Sequence, residues 1–463
     1  MVVPSLGFVV LLLLALAGPL VGLLGLPGRA AAAAVPRPNI VVIMTDDQRP
    51  GTLETMPTVQ AQLRQLGERF DGVVPTALCA PSRVSFLTGK FAHTTGVYAN
   101  GGATGGWPAF HASGYEDHTV ATALEGAGYR TGLVGKYLNY WGQAPAGFVP
   151  PGWDVFRAID SSRGQGAGAY YNYLLRGTGP TETFGSATQD YSTDVLAQRA
   201  EDFVTSTPSD QPLFLMFTPS APHSPFTPAP RDEQLLLKTP WVRDPAMNEA
   251  DMRDKPAFMQ NRPAVRRAAI TRMHNRTLRT LAAVDDAVAG IISALGTRAE
   301  NTLFVFTSDN GYLWGEHRLV GKDRPYEWSS GVPLIMRWDG HIAPGSNGGL
   351  AAANIDVTAT ILEAAGATAG LDVEGQSVLT TNRRGLLLEG TATGRFPAYC
   401  GWRTHRESFV ENSDGLGREL YDFSSDPYEL VNVASRSREL DTVSKLRAQA
   451  RLACSPVPPG FAW

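Results

Sequence analysis

Short, largely apolar runs, not alternating ones, mark the first three quarters of the chain. Residues Asn39 to Met44, Tyr129 to Val134, Leu213 to Phe217 and Thr302 to Thr307 each read as a strand buried on both faces. Helical periodicities fall between them. Met56, Val59, Leu63 and Leu66 form one apolar stripe closed by Gly67; Val120, Ala123, Leu124 and Ala127 form another closed by Gly128. Val195, Leu196, Ala200, Phe203 and Val204 give a third. Leu278, Leu281, Val288, Ile291 and Leu295 line a long helix over 274–295, in which Asp285 and Asp286 read as a solvated or capping pair. Ile355 to Ala365 closes the series. Buried strands alternating with helices predict an α/β fold with a mixed, mostly parallel sheet flanked by helices.

Each of the four strands ends in chemistry. The first runs into Asp46 and Asp47, the second into Gly135-Lys136, the third into Pro219-Ser220-Ala221-Pro222-His223-Ser224-Pro225, and the fourth into Ser308-Asp309-Asn310-Gly311. Any one of these has a bland reading: paired acids cap turns, lysines sit on surfaces, and loop histidines are common. Four strand mouths at one sheet edge delivering such groups together argue for an active site. Asp46, Asp47, Asp309 and the Asn310 amide form an oxygen ligand set that suits Ca2+ ahead of Mg2+, and not zinc. Between the first two strands, Cys79 precedes Pro81 and Arg83 at the start of a short apolar helix ending at Gly89. A helix N-terminus favours an anion there, and Arg83 lies one turn on.

The stretch Cys79-Ala80-Pro81-Ser82-Arg83, followed by Leu87-Thr88-Gly89, resembles the signature of the formylglycine-dependent sulfatases, and the likeness extends from about Arg37 to about Asn432. That resemblance implies an alkaline-phosphatase-like fold with a small C-terminal α+β subdomain, an antiparallel sheet with a helix, around Arg418–Phe423 and Asp426–Leu430. It implies that a formylglycine-generating enzyme oxidises Cys79 to formylglycine, whose hydrate is the nucleophile. It further implies a metal held by Asp46, Asp47, Asp309, Asn310 and the Cys79 side chain, catalytic roles for Arg83, Lys136, His223 and Lys322, and substrate contacts from His93 and His317. One departure stands out: many sulfatases carry a histidine two residues after the lysine, where this chain has Leu138. The wording Gly135-Lys136-Tyr137-Leu138-Asn139 matches the glucosamine-6-sulfatase and heparan endosulfatase branch. Gly311 to Leu319 reads more like an arylsulfatase loop. The expected substrate is a sulfate ester on a sugar, of the 6-O-sulfated glucosamine type. The alternatives are a broad arylsulfatase, a phosphodiester or phosphonate monoester hydrolase, and a sugar-binding protein without catalysis.

Composition trims this picture. With 463 residues the chain predicts a large domain and a smaller one: a catalytic domain over 37–367 and a C-terminal subdomain over 368–463, preceded by a signal peptide over 1–34. The net charge of −4, with no basic stripe, argues against nucleic acid. Phe8 to Leu26 is almost wholly apolar and Ala31 to Ala34 offers small residues for cleavage, so the start reads as an export signal with an uncleaved anchor as its rival. A secreted, periplasmic or cell-surface protein without a stable membrane partner is expected. Three cysteines occur; with Cys79 modified, Cys400 and Cys454 are left to pair in an oxidising compartment. Residues 145–190, with Tyr170, Tyr171 and Tyr173 inside, read as a loop excursion whose aromatics either stack on a sugar or pack locally.

Overall fold

The computed structural model describes residues 37–160, 169–237, 243–368, 370 and 372–463; the expected signal peptide lies outside them. Ten strands form one sheet. In chain order they are β1 (Asn39–Thr45), β2 (Glu68–Val73), β3 (Arg130–Gly135), β4 (Val155–Asp160), β5 (Leu174–Gly177), β6 (Glu182–Thr183), β7 (Leu213–Thr218) and β8 (Thr302–Ser308). A two-strand hairpin, β9 (Leu313–Trp314) with β10 (Val320–Gly321), precedes β11 (Gly331–Arg337) and β12 (Asn347–Ala352). The spatial order is β12-β2-β11-β8-β1-β7-β3-β4-β5-β6. From β8 through β4 every pairing is parallel, while β11 runs against both β8 and β2, and β5 runs against β4.

The centre of the sheet is apolar because both of its faces are covered. Along β1, Ile40, Val42 and Met44 join one core and Val41 and Ile43 the other, as the two-residue period of a strand requires. The first core takes Val84, Phe86 and Leu87 from the helix Cys79–Thr88 and Val357 and Ile361 from the helix Ile355–Ala365. The second takes Leu196, Ala200 and Phe203 from the helix Ser192–Ser206 and Leu281, Val284, Val288 and Ile291 from the helix Arg267–Leu295. Each fully buried Val, Leu, Ile or Phe contributes about 1.5–3 kcal/mol.

Several expectations are corrected. The helix expected to end at Gly67 is a short π-helical turn, Val59–Arg64, and Leu66 is exposed. Its amides at Thr58 and Val59 are capped by the Asp285 carboxylate, 2.8 Å from each, and Asp286 pairs with Arg231 at the surface, in keeping with the capping and solvated roles expected of the two acids. The strand β2, Glu-Arg-Phe-Asp-Gly-Val, has no apolar run to announce it, because polar positions interrupt it. The excursion over 145–190 contains β4, β5 and β6.

A second sheet follows: β13 (Leu386–Gly390), β14 (Tyr399–Arg403), β15 (Glu407–Asn412) and β16 (Arg418–Asp422), all antiparallel, with the helix Leu440–Ala453 against it. Cys400 on β14 and Cys454 just beyond that helix form a disulfide, with Cα atoms 6.4 Å apart.

Candidate active site

Local sequence explains why the site sits where it does. The helix Cys79–Thr88 starts two residues before Pro81, whose missing N–H still falls among the first-turn donors that no carbonyl accepts. Another of those donors, the Ala80 amide, goes to the Asn100 side-chain oxygen at 2.9 Å. Gly89 ends the helix at φ +68°, the left-handed cap expected of it. The whole helix is buried, so Cys79 and Arg83 reach the site from inside the fold. At the end of β3, Gly135 approaches β7 so closely that a Cβ would meet the Thr218 oxygen at 2.0 Å; the next amide, of Lys136, bonds that oxygen at 2.7 Å. Asp47 adopts φ +71°, a left-handed conformation stored at a working position. Its amide donates to Asp309 Oδ1 at 3.1 Å, and the Asp309 amide donates to the Thr45 carbonyl, so β1 and β8 fix each other's carboxylates.

These groups meet. Ligand atoms of Asp46, Asp47, Cys79 and Asp309 all lie within 4.8 Å of one another, and all four residues are buried. The Cys79 sulfur is 3.4 Å from Asp46 Oδ1 and 3.9 Å from Asp47 Oδ1. Arg83 Nε donates to Asp309 Oδ2 at 2.8 Å, and its Nη1 to the Lys136 carbonyl at 2.9 Å. Lys136 Nζ is 2.6 Å from Asp46 Oδ2. Lys322 Nζ donates to Asp47 Oδ1 and lies 2.7 Å from the Cys79 sulfur. His223 places Nε2 3.6 Å from Asp47 Oδ2. Its Nδ1 is 2.7 Å from the Ser224 carbonyl, which can only accept, so Nδ1 carries a proton and Nε2 faces the acids.

A metal fits this donor set. Asp47 Oδ2 and Asn310 Oδ1 are buried without a hydrogen-bond partner, and an unpaired buried oxygen is costly unless something binds it. Asn310 commits its Nδ2 to Asp47 Oδ1 at 2.7 Å and to the Gly311 carbonyl at 2.8 Å, which leaves Oδ1 as the open acceptor. Three carboxylates face three permanent cations, so a divalent ion would leave the site positive, as an anionic substrate requires.

Burial and the Asp309 and Asp46 carboxylates push the Cys79 thiol far above its usual range, against the pull of Lys136 and Lys322. An unmodified thiol here stays protonated and is a poor nucleophile. Burial alone would raise Asp46, but Lys136, His223 and Arg83 together lower it to about 2. Burial opposes the charge on Lys136 and Lys322 as well, yet the carboxylates raise both ammonium groups above their ordinary value.

The two other expected histidines lie apart from this cluster. His93 stacks on Phe91 and its Nδ1 is 3.1 Å from Glu389 on β13, which ties the second sheet to the region after the Cys79 helix. His317 has no accessible surface; its Nδ1 is 2.6 Å from Glu249 and its ring packs on Tyr326. Tyr170 and Tyr173 are likewise buried, so of the two readings of these aromatics local packing is the one the fold adopts for them; Tyr171 is half-buried. Leu138 joins the hydrophobic core. Asn100 is not legible as a site residue in the sequence, where a lone Asn before two glycines carries no signal beyond a turn.

Residues 38–367 match the family model for sulfatases. The chain belongs to the sulfatase family. It is 34% identical over 374 residues to human N-acetylglucosamine-6-sulfatase, covering 77% of this chain and 65% of that one. It is 32% identical over 356 residues to a putative extracellular sulfatase Sulf-1 homologue of Caenorhabditis elegans, covering 74% of this chain and 48% of that one. The chain thus spans about half to two thirds of the length of these relatives. A solved structure in complex with its substrate D-glucosamine-2-N,6-O-disulfate superposes with a TM-score of 0.72 at 22% identity, covering 90% of this chain and 97% of the other. A phosphonate monoester hydrolase of Agrobacterium radiobacter superposes at 0.68 with 20% identity, covering 89% and 96%. At these identities the structural likeness speaks for the fold alone. Among the described residues, no helix is long and apolar enough to cross a membrane.

Proposed function

We propose that this sulfatase-family protein hydrolyses sulfate esters of sugars, with 6-O-sulfated glucosamine-type residues as substrates and formylglycine made from Cys79 as nucleophile. The observation that carries the reading is the position of the Cys79 side chain, on a buried helix start, between three carboxylates and the Lys322 ammonium. Hydrated formylglycine would supply an oxygen nucleophile where the thiol stands. Ca2+, ahead of Mg2+, would be held by Asp46, Asp47, Asp309 and Asn310 together with the modified side chain; when bound, it offsets sulfate charge and acidifies a coordinated hydroxyl.

The chain's own groups account for the rest. Arg83 fixes Asp309 and the Lys136 carbonyl, holding the helix start in register with β3 and β8. Lys136 and Lys322 bind sulfate oxygens, each a compact cation suited to an oxyanion. His223, oriented by its Nδ1 bond, passes a proton from Nε2 to the departing alcohol oxygen. Overall, ester and water give alcohol, sulfate and a proton. The sugar assignment is supported by the N-acetylglucosamine-6-sulfatase relatives and by the Gly135–Asn139 wording. We assign 37–367 to catalysis and 368–463 to a supporting subdomain. A formylglycine-generating enzyme is the maturation partner, and removal of 1–34 delivers the protein outside the cytoplasm.

Two measurements test this. Mass spectrometry of the peptide containing Cys79 should find an aldehyde; unmodified thiol in fully active enzyme sinks the nucleophile. A panel of D-glucosamine 6-sulfate, heparin-derived oligosaccharides, 4-nitrophenyl sulfate, a phosphodiester and a phosphonate monoester, compared by kcat/KM, should favour the sugars. Efficient turnover of the aryl sulfate alone makes the protein an arylsulfatase, and preference for the phosphorus esters replaces the sulfate reading.

A further inference from the structure

The loop carrying His223 is held from outside at four points. The Ala221 carbonyl accepts from the Asp46 amide at 3.1 Å, tying the loop to the carboxylate strand. The Tyr170 hydroxyl donates to the His223 carbonyl at 2.7 Å, a carbonyl that also takes the Phe226 amide at 3.1 Å. Tyr191 donates its hydroxyl to the Thr227 carbonyl at 2.9 Å, and Arg276 Nε donates to the Phe226 carbonyl at 2.8 Å. Tyr170 and Tyr191 are both buried, with rings stacked 5.9 Å apart. Both belong to the core that holds Phe217 and Ala221, so the pins rest on the rigid part of the fold.

We propose that Tyr170, seconded by Tyr191, is a positioning residue that sets the aim of the His223 imidazole. The proposal rests on reading His223 as the general acid. Its ring orientation depends on the bond from Nδ1 to the Ser224 carbonyl, and therefore on the main chain at 223–224. Tyr170 grips that main chain at the His223 carbonyl itself. Phenylalanine would fill the same space, so the hydroxyl is there for its bond. Without it the carbonyl keeps only the Phe226 amide from its own loop, and the loop can drift. A displacement of about 1 Å at such a group can cost on the order of a hundredfold in rate.

The test separates proton delivery from general damage. An activated leaving group such as 4-nitrophenolate needs no proton, whereas the alkoxide of D-glucosamine 6-sulfate does. Y170F is expected to lower kcat on the sugar sulfate by about tenfold or more while changing the aryl ester far less, as H223A does more strongly. Y170F added to H223A should cause no further loss. Y191F should shift the same ratio in the same direction, and carries the test should Y170F not fold. Equal slowing of both esters by the tyrosine variants, or a loss that multiplies that of H223A, overturns the positioning role. If H223A itself slows both esters equally, the acid reading falls, and this proposal with it.

Discussion

Lys322 and Cys79 lie 243 residues apart in sequence, yet the lysine ammonium stands 2.7 Å from the cysteine sulfur. The same ammonium donates to Asp47. One cation therefore touches the position of the proposed nucleophile and a carboxylate that would hold the metal. Lys322→Ala is expected to lower kcat/KM by about 10²–10³-fold, the range found when one preorganised donor to a reacting anion is removed. Lys322→Arg should recover part of it. Steady-state kinetics on the preferred ester decides; a change under threefold for the alanine variant would remove Lys322 from the site.

The orphaned oxygens of Asp47 and Asn310 predict metal dependence. Chelation should abolish turnover and Ca2+ should restore it. Ca2+ should also raise Tm, since a ligand at one hundred times its Kd stabilises by about 2.7 kcal/mol. Asn310→Ala and Asp309→Asn should blunt that rise. Differential scanning fluorimetry with and without Ca2+ is the measurement, and an unchanged Tm in wild type at millimolar Ca2+ refutes the site.

Away from the active site, Glu429 is buried and accepts from the Glu327 amide at 2.9 Å. Burial, with the charge of Glu327 adding to it, raises its carboxyl from 4.5 to about 8 despite the amide bond and Arg403. Because the folded pKa lies above the unfolded one, the native state binds the extra proton between these values. Stability then falls as pH rises from 4.5 towards 8, by an amount on the order of a few kcal/mol. Glu429→Gln keeps the accepting oxygen and removes the proton, so its Tm should vary less across that window. Parallel pH slopes for variant and wild type would contradict this.

The Cys400–Cys454 disulfide closes a loop of 54 residues. In the chain-entropy model such a closure is worth about 4 kcal/mol. Cys400→Ala with Cys454→Ala should lower Tm markedly while leaving kcat nearly unchanged, because the bridge ties the second sheet to the end of the helix Leu440–Ala453 and touches none of the site residues. Thiol counting on the native protein should find neither of these two cysteines reactive.

Much of the centre was legible in order of sequence. The buried strands of β1, β3, β7 and β8 announce themselves because a strand covered on both faces must be apolar throughout. Their exits carry Asp46, Asp47, Lys136, His223, Asp309 and Asn310, since parallel strands present their C-terminal ends along one edge. The Cys79 helix is equally local: its start, its proline and its glycine cap are neighbours in the chain. What the sequence could not reveal depends on partners far away in it. Strand β2 reads as polar until β11 and β12 bond to its two sides. The tyrosines after residue 169 offered no means of choosing between a sugar platform and a core, because an amphipathic ring serves in either place. Packing chose the core and turned the Tyr170 hydroxyl to the His223 carbonyl. Only the folded chain pairs His93 with Glu389 and His317 with Glu249, and only there does Lys322 meet Cys79. Period and turn chemistry are short-range and survive in a string of residues, whereas these contacts exist only after the sheet has closed the distance.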